Sequence, residues 1–143
     1  MTTYYFIRHA EKEFDGSFNP NLTKKGYQRA KFWAEFFKDK NIEMVYCTSL
    51  KRTQQTAEPL LKYLDIDFNY YEPSALYDSI FQKETKGKTV LIVGHQDTTP
   101  TFINRIIKER KYTYIKGNNF ANLYKVQIDN FGNIKHSLEV IDF

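Results

Sequence analysis

The chain has 143 residues, a formal charge of +4 at pH 7 and a pI near 9.0. That length fits a single domain over residues 1–143, with a core that needs no metal or disulfide staple. The lone cysteine, Cys47, excludes an intrachain disulfide and favours a reducing, cytoplasmic setting.

Partners are narrowed by the same reading. No apolar run approaches the ~20 residues of a membrane helix, and the strand expected from Thr3 or Tyr4 leaves no room for a signal peptide. The lysines alternate with acids (Lys24, Lys25, Lys31, Glu35, Lys38, Asp39) as on a solvated helix face, so an anionic small partner is expected, with no nucleic acid and no membrane.

In chain order, Tyr4, Tyr5, Phe6 and Ile7 form an apolar, β-prone run that stops at Arg8 and His9, as a buried strand does where it leaves a core. Glu11 to Asn21 has loop composition and must cross the mouth of whatever pocket His9 faces. Thr23 is a helix cap, followed by Tyr27, Ala30, Phe32, Trp33, Phe36 and Phe37 near a 3.6-residue period. Gly26, in the first turn, points to a close approach to the neighbouring loop.

Met44 to Cys47 is a second strand, with Cys47 as a core filler, and it ends in Thr48 and Ser49. Ser49 is expected to cap a helix to about Leu64, with Leu50, Thr53, Ala57, Leu60, Leu61 and Leu64 buried and Pro59 kinking or splitting it. Arg52 falls in its first turn, where backbone N–H groups and the helix dipole also attract anions. Asp67 to Tyr71 is a short strand, Glu72 and Pro73 a turn, and Ser74 to Lys86 a helix with Leu76, Ile80 and Phe81 inward. Thr89 to Val93 is a further strand, closed by Gly94 and His95, and Thr98 to Lys108 a further helix. Lys108 to Lys116, with Arg110, Lys111, Tyr112 and Tyr114, is expected as a solvated loop, the alternative being a basic, aromatic rim that steers an acidic substrate. Asn122 to Ile128 and Ile134 to Ile141 form a hairpin at an antiparallel sheet edge, with His136 exposed on it.

Two of the three histidines thus close two buried strands. Parallel neighbours lie about 4.8 Å apart, and ligands bind beyond the carboxyl ends of such strands. Arg8, His9, Arg52 and His95 are therefore expected to converge on one phosphate-sized pocket.

The motifs RHA (Arg8 to Ala10), SLKRTQQTA (Ser49 to Ala57) and VGHQDTTP (Val93 to Pro100), with LTKKGYQRA (Leu22 to Ala30) between the first two, together resemble the histidine phosphatase superfamily, the phosphoglycerate-mutase-like fold. The resemblance covers roughly two thirds of the chain, and the RHAEK and YEP variants point to a short bacterial branch. The expected fold is α/β, a three-layer α-β-α sandwich with a mostly parallel central sheet and a C-terminal antiparallel edge hairpin. The resemblance implies that His9 becomes phosphorylated, while Arg8, Arg52 and His95 match phosphate-binding positions.

The chemistry that the resemblance implies is that of a phosphoric monoester hydrolase. Fixed guanidinium groups bind the phosphoryl oxygens and stabilise the charge of the transition state. A neutral His9 then attacks phosphorus, provided its other ring nitrogen donates to an acceptor; His95 donates to the transferring group. Neither metal nor cofactor is expected, since arginines beside the histidines would repel a cation and so argue against a metallohydrolase. The family's glutamate-containing acid motif is missing. Glu72 ranks first as proton donor, then Asp97, then Asp78, and without an acid a phosphohistidine substrate becomes the natural one. The expected substrate is a small phosphomonoester or a phosphohistidine protein. Mutase activity is not expected, because the chain lacks the insertions that cap mutase sites. The alternative is a phosphate-binding regulatory module of the same fold with weak turnover.

Overall fold

Tyr4, Tyr5, Phe6 and Ile7 point alternately to opposite sides of a strand, yet all four are buried, which requires cover on both faces. The computed structural model, which describes residues 1–143, supplies it. The elements are β1 (Thr2–Arg8), α1 (Lys24–Phe37), β2 (Met44–Cys47), α2 (Lys51–Leu64), β3 (Asn69–Tyr70), α3 (Ser79–Thr85), β4 (Thr89–Gly94), α4 (Thr98–Ile107), β5 (Asn122–Ile128) and β6 (Ile134–Val140). They build one six-stranded sheet in the order β3-β2-β4-β1-β5-β6. The first four strands in that order run parallel, while β5 joins β1 antiparallel and β6 closes the edge as the second arm of a hairpin.

The two faces have separate cores. Tyr5, Ile7, Val45, Leu91 and Val93 pack against Trp33 and Phe37 of α1 and Ala57 and Leu60 of α2. Tyr4, Phe6, Tyr46, Val90 and Ile92 pack against Phe81 of α3 and Phe102, Ile103 and Ile106 of α4. This is the expected α-β-α sandwich, with Cys47 in its core and burial pushing that thiol up to about 12. No helix is long and apolar enough to cross a membrane.

Two expectations about helix starts are corrected. Leu50, not Ser49, occupies the N-cap of α2 and makes no side-chain cap bond. The third helix begins at Ser79 rather than Ser74, because Tyr77 sits at φ 56° in the left-handed region and Asp78 caps the helix by accepting from the Phe81 amide. That later start turns Ile80 outward, leaving it 67% exposed, while Leu76 and Phe81 are buried. Pro59 does not split α2, which continues as one helix to Leu64. Thr23 caps α1 as expected, its hydroxyl accepting from the Gly26 amide at 3.0 Å.

Candidate active site

Four strand ends define the floor of the site, and parallel register sets which residues meet there. Arg8 pairs with Gly94 across β1 and β4, so His9 and His95 follow side by side, their ring centroids 5.5 Å apart. The His9 amide donates to the Gly94 carbonyl at 2.8 Å, which holds the chain in register one residue beyond the strand. Arg8, His9, Arg52 and His95 line one hollow of about 580 Å³, together with Lys12, Phe14, Leu50, Pro73, Gln96, Asp97, Thr98 and Gly117. The Glu11 to Asn21 loop does cross its mouth, contributing Lys12 and Phe14, whose ring lies 4.3 Å beneath the Lys12 ammonium.

His9 is 4% exposed, and its Nδ1 lies 2.7 Å from the Ala10 carbonyl. A carbonyl only accepts, so Nδ1 carries the proton and Nε2 keeps its lone pair. Burial first, then the charges of His95, Arg8 and Arg52, push the His9 pKa down to about 3, so the ring is neutral at pH 7. Ala10 is anchored in turn: its amide donates to Thr56 Oγ1 at 2.8 Å, and that hydroxyl donates to the Arg52 carbonyl at 2.6 Å. One hydroxyl thereby ties the residue that sets the His9 tautomer to the turn that carries Arg52.

Arg8 is held from the far end of the chain. Its Nη1 donates to the carbonyls of Lys116, Gly117 and Asn119 at 3.1, 3.0 and 2.8 Å, and its guanidinium lies 4.1 Å over the Phe120 ring. Its Nε has no partner, and neither do Nε and Nη1 of Arg52, although all three are buried. Burial pulls both guanidinium pKa values below their ordinary range, but an arginine keeps its proton in proteins. Both guanidinium groups line the hollow, and two fixed positive charges in its wall favour an anion there.

The three carboxylates expected as proton donors separate. Asp97 lines the hollow and caps α4, accepting from the Thr98 amide at 2.8 Å. Glu72 lies outside the lining, although Pro73 is in it; its side chain accepts from the Tyr70 hydroxyl, and with Asp78 it borders a different hollow. β3 is the outermost parallel strand, with β2 between it and the β4 strand that leads to His95. No group of three or more His, Cys, Asp or Glu side chains is arranged to hold a metal ion.

Other residues at or near the site were missed. Glu11 pairs bidentately with the buried Arg29 at 2.9 and 3.1 Å, fixing the root of the loop over the hollow. Thr53 is buried on α2 as expected; Thr56, three residues on along the same inward face, is buried too, and that spacing of small hydroxyls was the signal for it. The three carbonyls that hold Arg8 left no sequence signal. His136 is half-buried rather than exposed, its Nδ1 2.6 Å from the Tyr112 hydroxyl. Of the basic Lys108 to Lys116 loop, only its far end reaches Arg8; Lys108, Arg110, Tyr112 and Tyr114 border a separate groove.

A family model described as the histidine phosphatase superfamily (branch 1) matches residues 4–72. No curated protein matches. Solved structures share the fold along essentially the whole chain. Phosphoserine phosphatase from Entamoeba histolytica, in complex with 3-phosphoglyceric acid, has a TM-score of 0.76 at 18% identity, covering 100% of this chain and 98% of that one. The protein histidine phosphatase SixA complexed with tungstate has 0.74 at 19%, covering 96% of each. YhfR from Bacillus stearothermophilus has 0.75 at 16%, covering 100% and 98%. The segment similar to the histidine phosphatase superfamily is just under half of the chain; it carries Arg8, His9 and Arg52 and ends short of the strand that brings in His95.

Proposed function

We propose that the protein is a metal-independent phosphatase working through a phosphohistidine on His9, with a small phosphomonoester or a phosphohistidine protein as substrate. The observation that carries this reading is the convergence of the Arg8 and Arg52 guanidinium groups, His95 and a neutral His9 on one hollow. In this reading Arg8 and Arg52 take the phosphoryl oxygens, His95 donates to the transferring group, and His9 Nε2 attacks phosphorus in line. The P–Nε2 bond forms as the bond to the leaving group breaks; water then attacks the phosphohistidine, releasing inorganic phosphate and restoring His9.

For an alkyl phosphate the leaving oxygen needs a proton, and Asp97, in the wall of the hollow, is better placed for that role than Glu72 or Asp78. For a phosphohistidine substrate the departing imidazole needs less help. Rapid quenching in alkaline denaturant, where phosphohistidine survives, traps a labelled phosphoenzyme in the wild type and none in His9→Ala. Phosphate binding without a trapped intermediate in the wild type would mean a regulatory module instead. Comparing a phosphohistidine peptide with an alkyl phosphate decides the substrate class.

A further inference from the structure

We propose that Thr48 is a positioning residue that locks His95 in its Nε2–H tautomer, so that the ring nitrogen open to the hollow is bare and takes up a proton when a phosphoryl dianion docks. The argument is a count of hydrogens along a buried chain. Thr53 Oγ1 lies 2.9 Å from the Leu50 carbonyl and 3.2 Å from the Thr48 carbonyl. Carbonyls only accept, so the single Thr53 hydroxyl proton is committed to them. In its 3.0 Å contact with Thr48 Oγ1, Thr53 must therefore accept, which uses the single proton of Thr48. The Thr48 oxygen is left as an acceptor, and the 3.0 Å contact with His95 Nε2 requires the proton to be on that nitrogen.

His95 Nδ1 is then unprotonated in the neutral ring. It makes no hydrogen bond within the protein and is not among the sealed, unpartnered polar atoms, so it opens on the hollow that the ring lines. A bare nitrogen repels a phosphoryl oxygen, whereas an imidazolium Nδ1–H donates to it. The charged and titratable groups around His95 are Arg52 from α2, Arg8 and His9 from the end of β1, and Asp97 at the start of α4. Without a ligand, burial and then Arg52 push the His95 pKa down to about 4, with Asp97 opposing and Arg8 adding to the shift. A dianion placed among these groups reverses the local field and favours the protonated ring. The proton comes from solvent; the phosphoryl group keeps its charge, and the bound pair gains one positive charge on His95.

The tautomer stands on the hydrogen-bond chain alone, while the proton uptake rests on the phosphate-site reading above, and one experiment separates them. Imidazole nitrogen NMR on histidine-labelled protein at pH 7 is expected to show His95 as Nε2–H. Sulfate is the probe anion, because it remains a dianion and carries no proton of its own. On saturation both His95 nitrogens become protonated, and titration calorimetry in two buffers of different ionisation heat reads an uptake approaching one proton per sulfate. Thr48→Val cuts that uptake at least twofold, because a ring free to exchange tautomers can present an N–H without protonation; Thr48→Ser restores it. An Nδ1–H tautomer in the free wild type, sulfate binding with no protonation of His95, or unchanged uptake in Thr48→Val overturns the proposal. Should sulfate not bind at all, the phosphate reading fails, and the tautomer measurement on the wild type still decides the role of Thr48.

Discussion

Lowering the pH from 7 to 5 is expected to weaken the fold more than titration of surface carboxylates would. His9 and His95 have pKa values pushed down to about 3 and about 4, against 6.5 for an ordinary histidine. Between those limits the unfolded chain holds protons that the folded chain does not, so stability rises with pH across that window. The folded form keeps its full stability above pH 6.5 and loses it as the pH falls, until the folded pKa of each ring is reached. Each missing proton gives a slope of about 1.36 kcal/mol per pH unit. From 6.5 down to 5 that is about 2 kcal/mol per ring, hence ~4 kcal/mol for both, and closer to 3 because water reaches one side of His95. Against the 5–15 kcal/mol typical of a domain this is a large share. Urea unfolding at pH 7 and pH 5, in buffers free of phosphate and sulfate, measures it, and His9→Asn should shrink the difference by about 2 kcal/mol. Coincident wild-type stabilities at the two pH values, or a His9→Asn protein with the full wild-type difference, would refute the buried-imidazole argument.

Other outcomes follow from contacts within or beneath the site. Gly26→Ala places a Cβ 2.1 Å from the Glu11 carbonyl oxygen, so thermal melting should show a loss of about 3 kcal/mol where helix propensity alone would give a gain of about 1. Glu11→Ala leaves the buried Arg29 guanidinium with only the exposed Asp142 carboxylate at 3.7 Å and should cost roughly 3 kcal/mol in urea unfolding, with Arg29→Met in the same chain recovering most of it. Arg52→Ala should lower kcat/KM on any phosphorylated substrate by about 10²–10³-fold, with Arg52→Lys recovering only part because the planar fork is lost. Asp97→Asn, which keeps the helix cap, should slow hydrolysis of an alkyl phosphate by roughly 10²-fold and spare a phosphohistidine peptide. Equal losses on both substrates would remove Asp97 from the role of acid.

What could be read from the residues alone was local periodicity and its interruption. The run from Tyr4 to Ile7 followed by Arg8 and His9, and the run from Thr89 to Val93 followed by Gly94 and His95, placed two rings at neighbouring strand ends, and they stand 5.5 Å apart. Gly26 in a first turn announced the close approach that Glu11 makes. The start of the third helix was hidden because Ser74 to Tyr77 carries acceptable helix formers; only the left-handed backbone at Tyr77 rules them out. Glu72 does follow a strand as expected, but its side chain accepts from the Tyr70 hydroxyl while its neighbour Pro73 lines the hollow. The clamp on Arg8 consists of backbone oxygens more than a hundred residues away, and backbone atoms have no sequence signature.

That clamp has a consequence for how the molecule is made. β1 finds its neighbours only in β4 and β5, and Arg8 finds its carbonyl partners only at Lys116 to Asn119. At a synthesis rate of about 5–20 residues per second, the segment Tyr-Tyr-Phe-Ile waits on the order of ten seconds outside the ribosome with both faces bare. A sticky, unpaired ribbon of this kind invites nascent-chain chaperones, and a circular permutant beginning between α1 and β2 would shorten the delay by translating β1 after its partners.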